Sequence, residues 1–236
     1  MKKVAIVGSA VETRDNAPFD DLSYEIWSFA DWICSAWLKR VTGLLEIHSP
    51  RNYMNHPRTP EYWEMLQTVE YPVWMYPVAD PKVPGAVEYP LDGVLTLVAS
   101  GKQFGENFKP LNCSVAYAIA LAIHLDYKVI DVYGVELNTS NEYMHQKGHF
   151  AFWAGVAAGR GIELNVNCSK GLFIQPLYGF EDDMPTLIIS KYMHAITQQI
   201  NNSEKEKLMA EGALQLASKL MTYRDAYRGN DDKIQN

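Results

Sequence analysis

Three short polar stretches hold the side chains best suited to chemistry. Tyr143-Met144-His145 lies in the polar run from Thr139 to Lys147, just after Gly134-Val135-Glu136-Leu137-Asn138. A histidine can accept a proton near neutral pH, and a phenol can donate a hydrogen bond to a departing phosphate. His48-Ser49-Pro50-Arg51-Asn52 is the second stretch, with His48, like Asn112 further on, suited to an acceptor or phosphate contact. The third is Gly8-Ser9, where a strand-to-loop glycine lets backbone N–H groups approach a phosphate. Each has a plainer reading beside it: Gly8 required by its turn, His145 and His149 polar at a helix start, His48 hydrogen-bonded in a loop. His145 and His149 stand four apart with Glu142 nearby, but the H-E-x-x-H order is missing, so no metal is expected. Arg14, Lys102 and Arg160 could neutralise a phosphate, but as isolated charges they read more readily as solvated surface.

The element that must position these groups is the stretch Asn112 to Asn138. Its Ala-rich run from Val115 to Ile123, opened by Asn112 and Ser114, predicts a helix buried on most of its circumference. Val129 to Tyr133, ending at Gly134, predicts a strand buried on both faces. In open α/β sheets the ligand lies beyond the carboxyl ends of the strands, which directs attention to Gly134 and the residues after it. Lys3–Val7, Tyr24–Phe29 and Gly43–His48 read as three further strands, each ending in small or polar residues. Asp31–Arg40 reads as a short helix, and a proline at the first helical position starts another at Thr59-Pro60-Glu61. Pro72–Tyr76 suits a strand, and the prolines from Pro77 to Pro90 suggest irregular chain. Leu91–Val98 suits a helix and Ser100–Pro110 a loop. His149–Ala158 resumes helical spacing, and Ile162–Val166 gives a last strand. Pro185–Asn201 and Ser203–Arg228 read as two helices joined by a polar turn.

The expected fold is therefore α/β: a Rossmann-like, mostly parallel sheet with helices on both faces over residues 1–175. A C-terminal helical hairpin over 176–236 would serve packing or oligomerisation, making the chain a homo-oligomer. At 236 residues, 47% hydrophobic and 21% charged, the composition is that of an ordinary globular chain. A net charge of -7 argues against a general nucleic-acid or anionic-membrane surface. Cys34, Cys113 and Cys168 show no C-x-x-C spacing, and suit small buried hydrophobes in a reducing compartment. No apolar window reaches the roughly 20 residues of a membrane helix, and MKKVAIVGSA is not a signal peptide; cytoplasmic is the expectation. Gly8-Ser9-Ala10-Val11-Glu12-Thr13 lacks the later glycines of a dinucleotide fingerprint, so no bound cofactor is expected.

Three stretches carry a family resemblance: Val4–Phe29, Cys113–Leu137 and His145–Val166. In order and spacing they resemble the bacterial sialyltransferases of the Campylobacter type and, more distantly, the pterin-pyrophosphokinase-like Rossmann proteins. The chain is also similar to phage-encoded proteins, which would place it in a host cytoplasm. The resemblance implies that Gly8 and Ser9 contact a nucleotide, with Ser114 facing its cytidine part. It puts Gly134 under the nucleotide, with Glu136 where the family has aspartate. Tyr143 would hold the leaving phosphate and His145 would be the general base. The chain departs from the family at Ala10-Val11-Glu12, which replaces Gly-Pro-Ser, and at Cys113, which replaces threonine.

Three functional readings follow. The first is a metal-independent glycosyltransferase-like enzyme using a nucleotide-activated sugar. The second is a non-catalytic protein that captures or sequesters a nucleotide. In the third, the C-terminal helices make the chain an assembly protein.

Overall fold

The run KVAIV forms β1 (Lys3–Val7) because its β-branched and small residues pack on both sides of a sheet; Val4 to Val7 are fully buried. The computed structural model describes residues 1–54, 61–98, 108–137, 141–168 and 184–234. Around β1 lie β2 (Tyr24–Phe29), β3 (Gly43–Glu46), β4 (Val73–Met75), β5 (Ala86–Glu88), β6 (Val129–Tyr133) and β7 (Glu163–Asn167). All pair in parallel, in the order β5-β4-β3-β2-β1-β6-β7. The chain builds outward from β1 through β5, then returns to the other side of β1 for β6 and β7. The order thus reverses between β1 and β6, where an open α/β sheet leaves a crevice at its carboxyl edge.

Alternation along the strands feeds cores on both faces. Val4 and Ile6 of β1, Trp27 of β2 and Ile130 and Val132 of β6 face the helices α3 (Leu91–Thr96), α4 (Ser114–His124) and α5 (Asn141–Gly159). Val115, Ala116 and every residue from Ala118 to Ile123 are buried in α4, where small side chains let the helix lie close to the sheet. The helix gives way at Asp126, whose φ of 64° is the left-handed turn of a helix end. Leu44, Val73 and Met75 pack on the opposite face, against Tyr53 of α1 (Pro50–Met54) and Tyr62 and Leu66 of α2 (Tyr62–Leu66).

Four local expectations are corrected. Asp31–Arg40 is not a helix but a short 3-10 turn at Ala30–Trp32 followed by turns. The Arg40 guanidinium holds this segment by donating to the carbonyls of Pro18, Phe19, Asp21 and Tyr24. The proline-rich stretch yields β5, an edge strand that tolerates nearby prolines. The polar run after β6 is already helical from Asn141, so Tyr143 and His145 belong to the first turns of α5 and not to a loop. The C-terminal hairpin is instead one helix, α6 (Met184–Ile234). Asn201-Asn202-Ser203 are weak helix formers, yet with no Gly or Pro among them they do not break it.

The chain divides into two compact units, Met1–Ile174 and Gln175–Asn236. In the second, every side chain of α6 from Tyr192 to Met221 is exposed. No helix of the described residues is long and apolar enough to cross a membrane.

Candidate functional site

The carboxyl ends of β1 and β6 are tied together. Gly8 N donates to Tyr133 O at 2.8 Å and Ala10 N to Gly134 O at 2.9 Å. Gly134 N in turn donates to Thr13 Oγ1 at 2.8 Å, and the Arg14 guanidinium donates to Ser9 O at 2.8 Å while stacking over Trp37. Gly134 takes a left-handed φ of 63°, and a Cβ at either Gly8 or Gly134 would run into the other's carbonyl. The glycines allow two backbones to touch, and two amides that a phosphate would need are already engaged.

Beside this knot lies a cleft of about 680 Å³. Gly8 and Ser9, Asp31 and Trp32 beyond β2, His48 beyond β3, Asn112 to Val115 at the start of α4, and Gly134 to Leu137 beyond β6 all line it. Gly8, Ser9, His48, Asn112, Ser114, Gly134 and Glu136, distant in sequence, thus meet at one sheet edge. Asn112 to Val115 bring the amino terminus of α4, the positive end of its dipole, to that edge. Tyr143 and His145 fall on the backbone of α5, but their side chains lie outside the described residues, as does Lys102. Arg14 serves the β1 loop, and Arg160 donates to Leu97 O at 2.7 Å.

His48 has the most developed surroundings. Its Nδ1 lies 2.8 Å from Glu46 Oε1, which also accepts from the His48 backbone N at 2.9 Å. Glu46 is fully buried, whereas the His48 side chain is 44% exposed. The hydrogen bond to Glu46 raises the His48 pKa above its ordinary value, outweighing the burial that lowers it. His149 behaves oppositely: burial lowers its pKa, and its Nδ1 has no hydrogen-bond partner among the described residues. Burial pushes the Cys113 thiol up to about 11, which leaves it protonated and unsuited to nucleophilic work.

Sequence reasoning named Asp31 only as a strand end and missed Trp32, Phe29, Tyr117 and Gln146; all five line the cleft. Two signals could have found them. Tyr117 follows Ser114 by three residues, hence on the same helical face, and Asp31-Trp32 directly follow a strand end.

No protein-family model matches the chain, and no curated protein matches it. Among solved structures, the sialyltransferase CstII from Campylobacter jejuni in complex with cytidine-5'-monophosphate is 18% identical, covering 72% of this chain and 81% of that one, with a TM-score of 0.47. CST-II in complex with trisaccharide acceptor and CMP is 17% identical, covering 77% and 88%, with a TM-score of 0.48. CstII with CMP-3FNeuAc gives 16%, 71% and 80%, and a TM-score of 0.46. At this level of likeness no residue role transfers.

Proposed function

We propose that the cleft binds a nucleotide or nucleotide-activated sugar, and that the chain transfers the sugar to a hydroxyl acceptor. One observation carries this reading: residues singled out in separate stretches of sequence as nucleotide contacts all line a single cleft at the β1/β6 crossover. In the proposal Ser9 and Ser114 hold the nucleotide, with Ser114 at the α4 amino terminus facing its cytidine part, and Asn112 makes an acceptor or phosphate contact. Phe29, Trp32 and Tyr117 supply apolar and aromatic walls for base and sugar. His145 takes the acceptor's proton as general base, and Tyr143 donates to the departing phosphate oxygen. Glu136 suits a ribose hydroxyl, and His48 the acceptor side.

A second reading, nucleotide capture without turnover, has its own support. Gly8 N and Ala10 N are bonded to β6 and so cannot cradle a phosphate as a glycine-rich loop does. In a third, α6 makes the chain an assembly protein, as its uncovered apolar side chains suggest.

A thermal-shift screen against nucleotides and nucleotide sugars separates these readings. A ligand at 100 times its dissociation constant adds about 2.7 kcal/mol of stability. Stabilisation by a nucleotide sugar together with sugar transfer supports the first reading, and stabilisation without transfer the second. Absence of any shift removes both and leaves the assembly role.

A further inference from the structure

Three potential ligand side chains converge where β2 and β3 end. Asp31 lies just past β2, Glu46 is the last residue of β3, and His48 follows two residues later. Their donor atoms all fall within 4.8 Å of one another. His48 Nδ1 is 2.8 Å from Glu46 Oε1 and 3.9 Å from Asp31 Oδ1. Ligands about 2.1 Å from a common divalent ion, at octahedral or tetrahedral angles, stand about 3.0–3.4 Å apart. The two measured separations bracket that range and the third lies within 4.8 Å, so small side-chain rearrangements would close the trio around an ion.

A second observation points the same way. The other oxygen of the same buried carboxylate, Glu46 Oε2, has no hydrogen-bond partner among the described residues. A carboxylate is costly to bury unless positive charge or hydrogen bonds compensate it, and here one oxygen lacks a hydrogen bond among the described residues. Glu12, Asp31 and Glu136 line the cleft nearby, and no Lys or Arg lines it among the described residues. Two carboxylates and an imidazole sum to -1 with His48 protonated and -2 with it neutral. That balance favours a cation over an anion.

We infer that Asp31, Glu46 and His48 form a binding site for a divalent transition-metal cation, at the rim of the cleft. Two carboxylate oxygens and one imidazole nitrogen match the borderline preferences of Mn2+ and Zn2+ better than those of Ca2+, which prefers oxygen alone. Three protein ligands leave coordination positions open for water or a bound molecule. The site departs from the expectation of no metal, which rested on the His145/His149 and cysteine spacings. It does not depend on what the cleft turns over.

The test is direct titration of chelator-treated, full-length protein with Mn2+, followed by the paramagnetic resonance signal of free Mn2+, with Zn2+ and Ca2+ as competitors. The expected result is saturable binding of one Mn2+ per chain, displaced by Zn2+ and not by equimolar Ca2+. Asp31→Asn and His48→Gln each weaken it about 10-fold or more while leaving circular dichroism unchanged. Both side chains are partly exposed, so these variants decide the matter even if Glu46→Gln fails to fold. Absence of saturable Mn2+ or Zn2+ binding to the parent protein, or unchanged affinity in both variants, overturns the assignment. A nucleotide-induced thermal shift in the chelated protein would uphold the cleft's proposed ligand even then, so the two failures remain distinct.

Discussion

Gly8 and Gly134 close the ends of two adjacent parallel strands so tightly that neither has room for a Cβ. Alanine at either position must push backbone aside, because the obstacle is the other glycine's carbonyl and not a flexible side chain. Gly134 also has a φ that L side chains rarely adopt. Gly8→Ala and Gly134→Ala should each lower stability by about 1–3 kcal/mol. Both relieve or worsen the same contact, so the double variant should depart from additivity by about 0.5 kcal/mol or more. Urea unfolding of the four proteins checks this; unaltered midpoints in both single variants would contradict the close approach.

If His145 is the general base, His145→Ala should lower the transfer rate by about 100- to 10,000-fold and leave nucleotide affinity intact. The check is steady-state transfer alongside calorimetric nucleotide binding. Equal turnover by the variant would remove His145 from the mechanism.

Burial of His149 favours its neutral form, so its folded pKa lies below the unfolded value. Such a group leaves stability unaffected above about pH 6.5, and stability is then lost as pH falls from there through the folded pKa. Two-dimensional NMR of the imidazole protons should show His149 titrating below free histidine. His149→Gln should reduce the acid-side loss of stability between pH 6.5 and 5. A midpoint at or above 6.5 would mean that the ring is solvated.

The thiols should differ in reactivity. Cys34 is exposed, whereas Cys113 is buried with its pKa raised to about 11. Timed alkylation at pH 8 with mass-spectrometric readout should modify Cys34 first, and Cys113 only on unfolding. The raised pKa also adds to alkaline instability: stability is held below about pH 9 and lost as pH rises from there toward 11. Prompt modification of native Cys113 would be the contrary result.

The 51-residue α6 carries Ile189, Met193, Ile196 and Ile200 at alternating four- and three-residue spacing, and all four are exposed. That is the spacing of a left-handed coiled-coil seam, and Leu214 and Met221 keep its register after a polar interval at Ser203 and Lys207. We expect Ile196→Glu with Ile200→Glu to shift full-length protein toward monomer in sedimentation velocity. Identical sedimentation of parent and double variant would exclude this seam as the contact.

The sheet was largely readable because its signal is local. KVAIV, VIDVY and the Ala-rich helix between Asn112 and Leu125 carry their burial in their composition. What escaped depended on distant partners. Arg40 holds its segment through carbonyls about 20 residues away, so a helical-looking stretch became turns. β5 has only three residues, and its pairing with β4 is invisible without the neighbouring strand. Asn201-Asn202-Ser203 carried a turn-like composition that a helix nevertheless absorbed. At the cleft, the strand-end rule pointed to Gly8, His48 and Gly134, which line it, but Glu46 looked like an ordinary strand residue. Its role follows only from being buried beside His48 and Asp31.

The knot joining β1 to β6 bears on how any occupant is received. Its backbone bonds form within the chain itself, so this wall of the cleft is preorganised and surrenders little conformational entropy when a ligand arrives. Differences in affinity among ligands should therefore arise on the opposite rim, around Asp31, Trp32 and His48. There, side-chain substitutions can retune selectivity without disturbing the sheet that supports them.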